Sequence, residues 1–97
     1  MTSPERYRHW AFTLNNYTKD DLDKLQQLPK GGIYLVYGKE VGDAGTRHLQ
    51  GFISYSSQRL FNSVSKFFAG RAHVEVARSP RAAAEYCKKD GDYIELG

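Results

Sequence analysis

The chain predicts an α+β domain in which five mostly antiparallel strands pack with three helices, and three observations carry that expectation. Apolar residues alternate with polar ones, or cluster as β-branched and aromatic runs, over five short stretches, while three intervening stretches repeat them at helical spacing. The stretches are divided by Gly, Pro, Ser and Asp punctuation, with no repeat, low-complexity tract or internal linker. Finally, 97 residues with 40% apolar and 13% aromatic content support one hydrophobic core and no second.

Each element has its own signal. Residues 8–15 alternate, with Trp10, Phe12 and Leu14 on one face, which reads as a strand placing these side chains in the core. Thr18 then suits an N-cap, Asp20 and Asp21 favour the positive end of a first helix, and Leu22, Leu25 and Leu28 form its stripe before Pro29. Residues 33–39 are rich in β-branched and aromatic side chains; the polar, Gly-containing turn at 41–46 returns the chain into a second alternating run at 47–55, predicting a hairpin. Leu60, Phe61, Val64, Phe67 and Phe68 recur as on an amphipathic helix that ends at Gly70. Residues 72–77 alternate again, with Val74 and Val76 on one side. Ser79 as cap and Pro80 at the first position open a third helix through Ala82, Ala83, Ala84 and Glu85 that Gly91 can terminate, and 93–96 supply a last short strand.

Composition narrows the function. The single cysteine, Cys87, excludes an intrachain disulfide and a zinc site built on cysteine pairs, and its place among alanines suggests a buried packing thiol. No apolar run approaches the roughly 18 residues of a membrane helix and no signal-peptide pattern opens the chain, so a soluble, intracellular protein without a membrane partner is expected. A net charge of +3 permits a polyanionic partner: Arg6 and Arg8 open the chain, Arg78 and Arg81 flank a turn, and Lys88 and Lys89 follow Tyr86. No Gly-x-x-x-x-Gly-Lys-Ser/Thr loop is present, so this stretch is not a nucleotide-driven motor.

The candidate chemistry lies in two places. On an alternating strand His48 and Gln50 share a face, and the hairpin turn sets Glu40 roughly opposite His48, so an acid, an imidazole and an amide can meet at one ion. Two of the three offer oxygen and none sulfur, which favours Mg²⁺ or Mn²⁺ over zinc. Tyr86 and Lys89, three apart at helical spacing, bring a hydroxyl nucleophile and a cation to one side. The bland alternative makes His48 and Gln50 polar residues of a solvated strand and Tyr86 one more surface tyrosine among seven. His73 and Glu75 repeat the His48–Gln50 spacing without a third ligand nearby, and read as a wall of a nucleic-acid surface or as solvated polar residues.

Three motifs then occur in order: Phe12-Thr13-Leu14-Asn15-Asn16, His48-Leu49-Gln50-Gly51 and Glu85-Tyr86-Cys87-Lys88-Lys89-Asp90-Gly91. Together they closely resemble the motifs of circovirus-type replication initiator (Rep) proteins, HUH endonucleases of single-stranded DNA viruses. The resemblance implies a five-stranded antiparallel sheet with flanking helices, related to the RNA-recognition and ferredoxin-like folds. It implies that Glu40, His48 and Gln50 hold Mn²⁺ or Mg²⁺, with Gln50 replacing the second histidine of the wider superfamily, and that Tyr86 is the nucleophile with Lys89 beside it. The implied reaction nicks and rejoins a single-stranded stem-loop origin through a 5′-phosphotyrosine link and a free 3′-hydroxyl, initiating rolling-circle replication. Asn15, Asn16, Arg6, Arg8, Arg78, Arg81 and Lys88 are the candidate DNA contacts. The expected context is the nuclease domain of a longer protein with a helicase downstream, acting in the host nucleus, the isolated domain being monomeric. The alternatives are a non-catalytic single-strand binder with the same kind of sheet, separable by metal-dependent cleavage, and a structural interaction domain without oligonucleotide affinity.

Overall fold

The computed structural model describes residues 5–97. Its elements are β1 (Arg6–Asn15), α1 (Lys19–Gln26), β2 (Tyr34–Val41), β3 (Arg47–Leu60), α2 (Phe61–Phe67), β4 (His73–Val76), α3 (Pro80–Cys87) and β5 (Tyr93–Leu96). The strands form one sheet in the order β4-β1-β3-β2-β5, and every pairing is antiparallel. The five-stranded α+β architecture expected from the sequence is therefore the one observed.

Alternation divides the sheet into two unlike faces. One carries Trp10, Phe12, Leu14, Leu35, Tyr37, Leu49 and Ile53, closed over by Leu25 of α1 and by Val64 and Phe68 around α2, and this is the main core. Among the described residues the other buries only Val36 and Phe52 with Ala77 and Cys87, helped by Ala83 and Ala84 of α3. A single short helix covers this second face, so much of it stays open to solvent. His73 and Glu75, opposite Thr13 and Ala11, belong to the open face, whereas Val74 and Val76 are paired with core residues Phe12 and Trp10.

Two glycines let the layers close. A Cβ at Gly51 would overlap the ring of Phe12 on the core side, and one at Gly38 would overlap the Cys87 carbonyl oxygen at the end of α3. The helix ends are also specific. Thr18 Oγ1 accepts from the Asp21 amide at 3.3 Å while Asp21 Oδ2 accepts from the Thr18 amide at 2.8 Å, a reciprocal capping box. Arg71 donates two bonds to the same carboxylate, at 2.8 and 3.0 Å, tying the start of α1 to the loop after α2. The Arg71 guanidinium, aided by the Thr18 bonds and against partial burial, lowers the Asp21 carboxyl to about 2.

Some boundaries differ from those the periodicity predicts. β3 runs on to Leu60 instead of ending near Tyr55, because Arg59 and Leu60 pair with Tyr7 and Arg6 beyond an irregularity in the ladder. The polar run Ser56-Ser57-Gln58 hides that continuation from an alternation test. Leu60 consequently precedes α2 as its cap residue instead of opening the helical stripe, and it makes no side-chain cap bond. Leu28 lies beyond α1, which ends at Gln26, yet still packs on the core. After α2 the Gly70 amide reaches the Ser65 carbonyl at 3.0 Å and the Ala69 amide reaches the Lys66 carbonyl at 2.9 Å, the paired bonds of a Schellman end. This forces Ala69 to φ 53°, a left-handed conformation that an alanine resists.

Candidate active site

The β2–β3 hairpin builds the first half of the site. Gly42 donates to the Thr46 carbonyl at 2.9 Å and Gly45, at φ +84°, donates to that of Gly42 at 2.9 Å, closing the turn. Glu40 and His48 are thereby set directly opposite on the open face. His48 Nε2 lies 3.1 Å from Glu40 Oε1, with the side chains only 19% and 11% exposed. Gln50 is two residues farther along the same face, between Thr13 and Gly38 on the neighbouring strands.

The Gln50 amide leans toward β1. Its Nε2 donates to the Phe12 carbonyl at 3.5 Å, and its Oε1 accepts from the Thr13 hydroxyl at 3.1 Å. A carbonyl only accepts, so the nitrogen belongs on the Phe12 side and the oxygen beside Thr13; an amide oxygen with one bond filled keeps a second lone pair for a ligand. Thr13 is the partner the sequence reading passed over, since its place opposite Gln50 depends on the β1–β3 register.

Helix α3 supplies the second half. Pro80 occupies its first turn as expected, but the Ser79 hydroxyl makes no cap bond. The helix ends at Cys87, so Lys89 lies in the following turn, where its amide reaches the Tyr86 carbonyl at 3.3 Å and preserves the helical offset. Lys89 Nζ sits 2.6 Å from Glu40 Oε2 and 3.9 Å from the centre of the Tyr86 ring. Desolvation pulls the Lys89 ammonium down, but the Glu40 carboxylate and the Tyr86 side chain outweigh it and leave the group above its ordinary value. Lys89 is therefore a standing cation at neutral pH and a poor base. Tyr86 is 53% exposed, with its hydroxyl-bearing ring available to a ligand. Cys87 next to it is buried, and burial followed by the Glu40 charge pushes its thiol up to about 11.

Glu40, His48 and Gln50 offer oxygen, nitrogen and oxygen, a donor set suited to a hard divalent ion that keeps several waters. Among the described residues no group of three His, Cys, Asp or Glu side chains could hold a metal, so a three-residue protein site here depends on the Gln50 amide. In donor chemistry the residues suit such an ion, and Glu40 and His48, which bond each other at 3.1 Å, have their donor atoms side by side.

The remaining candidates fall in different places. Asn15 is exposed on β1 opposite His48, beside the pair. Asn16 turns the chain at φ 55° while its amide bonds the Arg47 carbonyl at 2.7 Å, so it has a structural task as well. Arg6 pairs with Leu60, nine residues or roughly 30 Å of strand from Asn15. Arg8 is near that end, and Arg78 joins it with its guanidinium 5.8 Å from the Tyr7 ring. Arg81 is exposed in the first turn of α3. Lys88 is engaged by Glu95 at 2.8 Å, and Tyr34 also bonds Glu95, which clasps the end of α3 to the edge strand β5.

Fold and site thus define a small α+β domain with a carboxylate, an imidazole and an amide in a row on one sheet face and a lysine-covered tyrosine above them. A family model described as "Putative viral replication protein" matches residues 7–90. The chain is 37% identical over 100 residues to the replication-associated protein of Porcine circovirus 1, covering 99% of this chain and 32% of that protein. It is 42% identical over 89 residues to the replication-associated protein of Canary circovirus, covering 90% and 30%. The master replication protein of Banana bunchy top virus matches at 37% over 87 residues, covering 89% and 28%. The chain belongs to this family of viral replication proteins, and it spans about a third of the length of these curated relatives.

Proposed function

We propose that this domain cleaves and rejoins single-stranded DNA at a viral replication origin, with Tyr86 as the nucleophile. The observation that carries the reading is the position of Lys89, one ammonium in contact with both Glu40 and the Tyr86 ring, which joins the two halves of the site. Mn²⁺ or Mg²⁺ held by Glu40, His48 and Gln50 would supply Lewis-acid polarisation of a phosphate oxygen. The Tyr86 oxygen attacks phosphorus in line, its proton passes to solvent water, and the 3′-oxygen leaves and takes up a proton as a free hydroxyl. The new bond joins the 5′-phosphate to the tyrosine oxygen, and attack by a later 3′-hydroxyl reverses the exchange and reseals a strand. Lys89 steadies the negative charge that builds on the phosphoryl group, as its retained proton allows.

Single-stranded substrate suits a site on an open sheet face, where bases can stack on rings and phosphates can meet exposed cations. The stem-loop form of the origin, action within a longer protein bearing a helicase, and work in the host nucleus belong to the same proposal. The test incubates the domain with origin stem-loop oligonucleotides and Mn²⁺ and resolves covalent adducts on a denaturing gel. Wild type should give an adduct and Tyr86→Phe none; an adduct that persists in Tyr86→Phe removes Tyr86 from the role.

A further inference from the structure

Beside the Glu40–His48 pair, toward β4, the open face holds a cleft of about 350 Å³ lined by Ala11, Thr13, Gln50, Glu75, Ala83 and Tyr86. It is bounded on one side by the candidate nucleophile and a candidate metal ligand, and on the other by a carboxylate that the proposed chemistry does not use. Strand alternation puts Glu75 there, because β4 pairs it with Ala11 on the open face. Ala11 and Ala83 are small enough to leave the carboxylate uncovered, and Glu75 is 68% exposed, its only ionic neighbour among the described residues being His73 at 3.7 Å from Oε2.

A carboxylate is out of place against a phosphate backbone unless it reads something else. Within a DNA strand the phosphodiester and the deoxyribose offer no hydrogen-bond donors; the donors are all on base edges, as exocyclic amines and ring N–H groups. An ionised carboxylate only accepts. We infer that this cleft is a base pocket for a nucleotide flanking the scissile phosphate, in which Glu75 accepts from an exocyclic amine and so selects cytosine, adenine or guanine over thymine. Thymine has no amine, and its one N–H lies between two carbonyl oxygens that would face the carboxylate. The Tyr86 ring offers the base an aromatic surface, and unpaired bases expose the edge that Glu75 would read. The inference rests on the reading of the site as one that cleaves single-stranded DNA.

Two measurements separate it from that reading. Binding of dC8 and dT8 is followed by fluorescence anisotropy in EDTA, which keeps the strands intact; both bases are pyrimidines, cytosine presenting an amine and an unprotonated N3 where thymine presents a carbonyl, an N3–H and a C5 methyl group. Wild type should bind dC8 more tightly by about fivefold or more, and Glu75→Gln should bring the ratio toward one. Cleavage in Mn²⁺ is then compared for origin oligonucleotides carrying each base at the two positions flanking the cut. Thymine should be the poorest base at one of them in wild type and should lose that handicap in Glu75→Gln. Equal binding of dC8 and dT8 by wild type, or a preference unchanged by Glu75→Gln, overturns the pocket. Base-dependent binding without cleavage supports the pocket and counts against the Tyr86 reaction instead.

Discussion

The backbone of Gly38 lies directly beneath the carbonyl oxygen of Cys87, so close that no side chain fits between strand β2 and the last turn of α3. That contact sets the height of Tyr86 and Lys89 above the sheet. Gly38→Ala should lift the end of α3, cost about 1 to 3 kcal/mol in urea unfolding, and lower strand cleavage more than oligonucleotide binding. Stability lost with cleavage kept at the wild-type rate would show that this approach positions nothing.

Thr13 should matter through Gln50. With its hydroxyl removed in Thr13→Val, the amide loses a bond at 3.1 Å that holds its oxygen, and Mn²⁺ affinity by calorimetry should fall about tenfold or more. Thr13→Ser, which keeps the hydroxyl, should restore it. Equal affinities in all three proteins would confine Thr13 to packing.

Acid should loosen the junction between α1 and the loop after α2. Because the folded Asp21 carboxyl titrates at about 2, below the roughly 3.9 of an unfolded chain, its contribution is present above about pH 4 and is lost as pH falls toward 2. Asp21→Asn should therefore flatten the acid limb of a stability-against-pH curve. A variant whose acid limb keeps the wild-type slope would assign that sensitivity to other carboxylates.

Ala69 is the one alanine among the described residues that the fold holds in a left-handed turn. Ala69→Gly should raise the unfolding free energy by about 1 kcal/mol, read from the urea midpoint at unchanged slope. A loss of stability would mean that the extra freedom of glycine in the unfolded chain outweighs the relieved strain.

How much of this was legible in the sequence depends on the range of the interaction involved. Trp10, Phe12 and Leu14 announce their burial through alternation, and Thr18 announces itself as an N-cap, although the reciprocal bond from the Asp21 carboxylate emerges only in the structure. The Glu40–His48 encounter is legible too, because a short turn fixes the register of a hairpin. The partnership of Thr13 with Gln50 spans 37 residues and depends on a register that no local signal sets. The same is true of the Lys88–Glu95–Tyr34 clasp, which requires knowing that β5 lies beside β2. Arg6 and Arg8 are near the motifs in sequence but at the far end of the sheet in space, since a strand of ten residues carries its ends well apart.

Cys87 is the chain's sole thiol, next to Tyr86 at the end of α3 and buried between that helix and the sheet. The domain therefore carries a built-in gauge of how often its third helix leaves the sheet. While the helix is seated, an alkylating reagent meets a protonated, shielded sulfur, so the labelling rate counts excursions that take the tyrosine out of register with its neighbours.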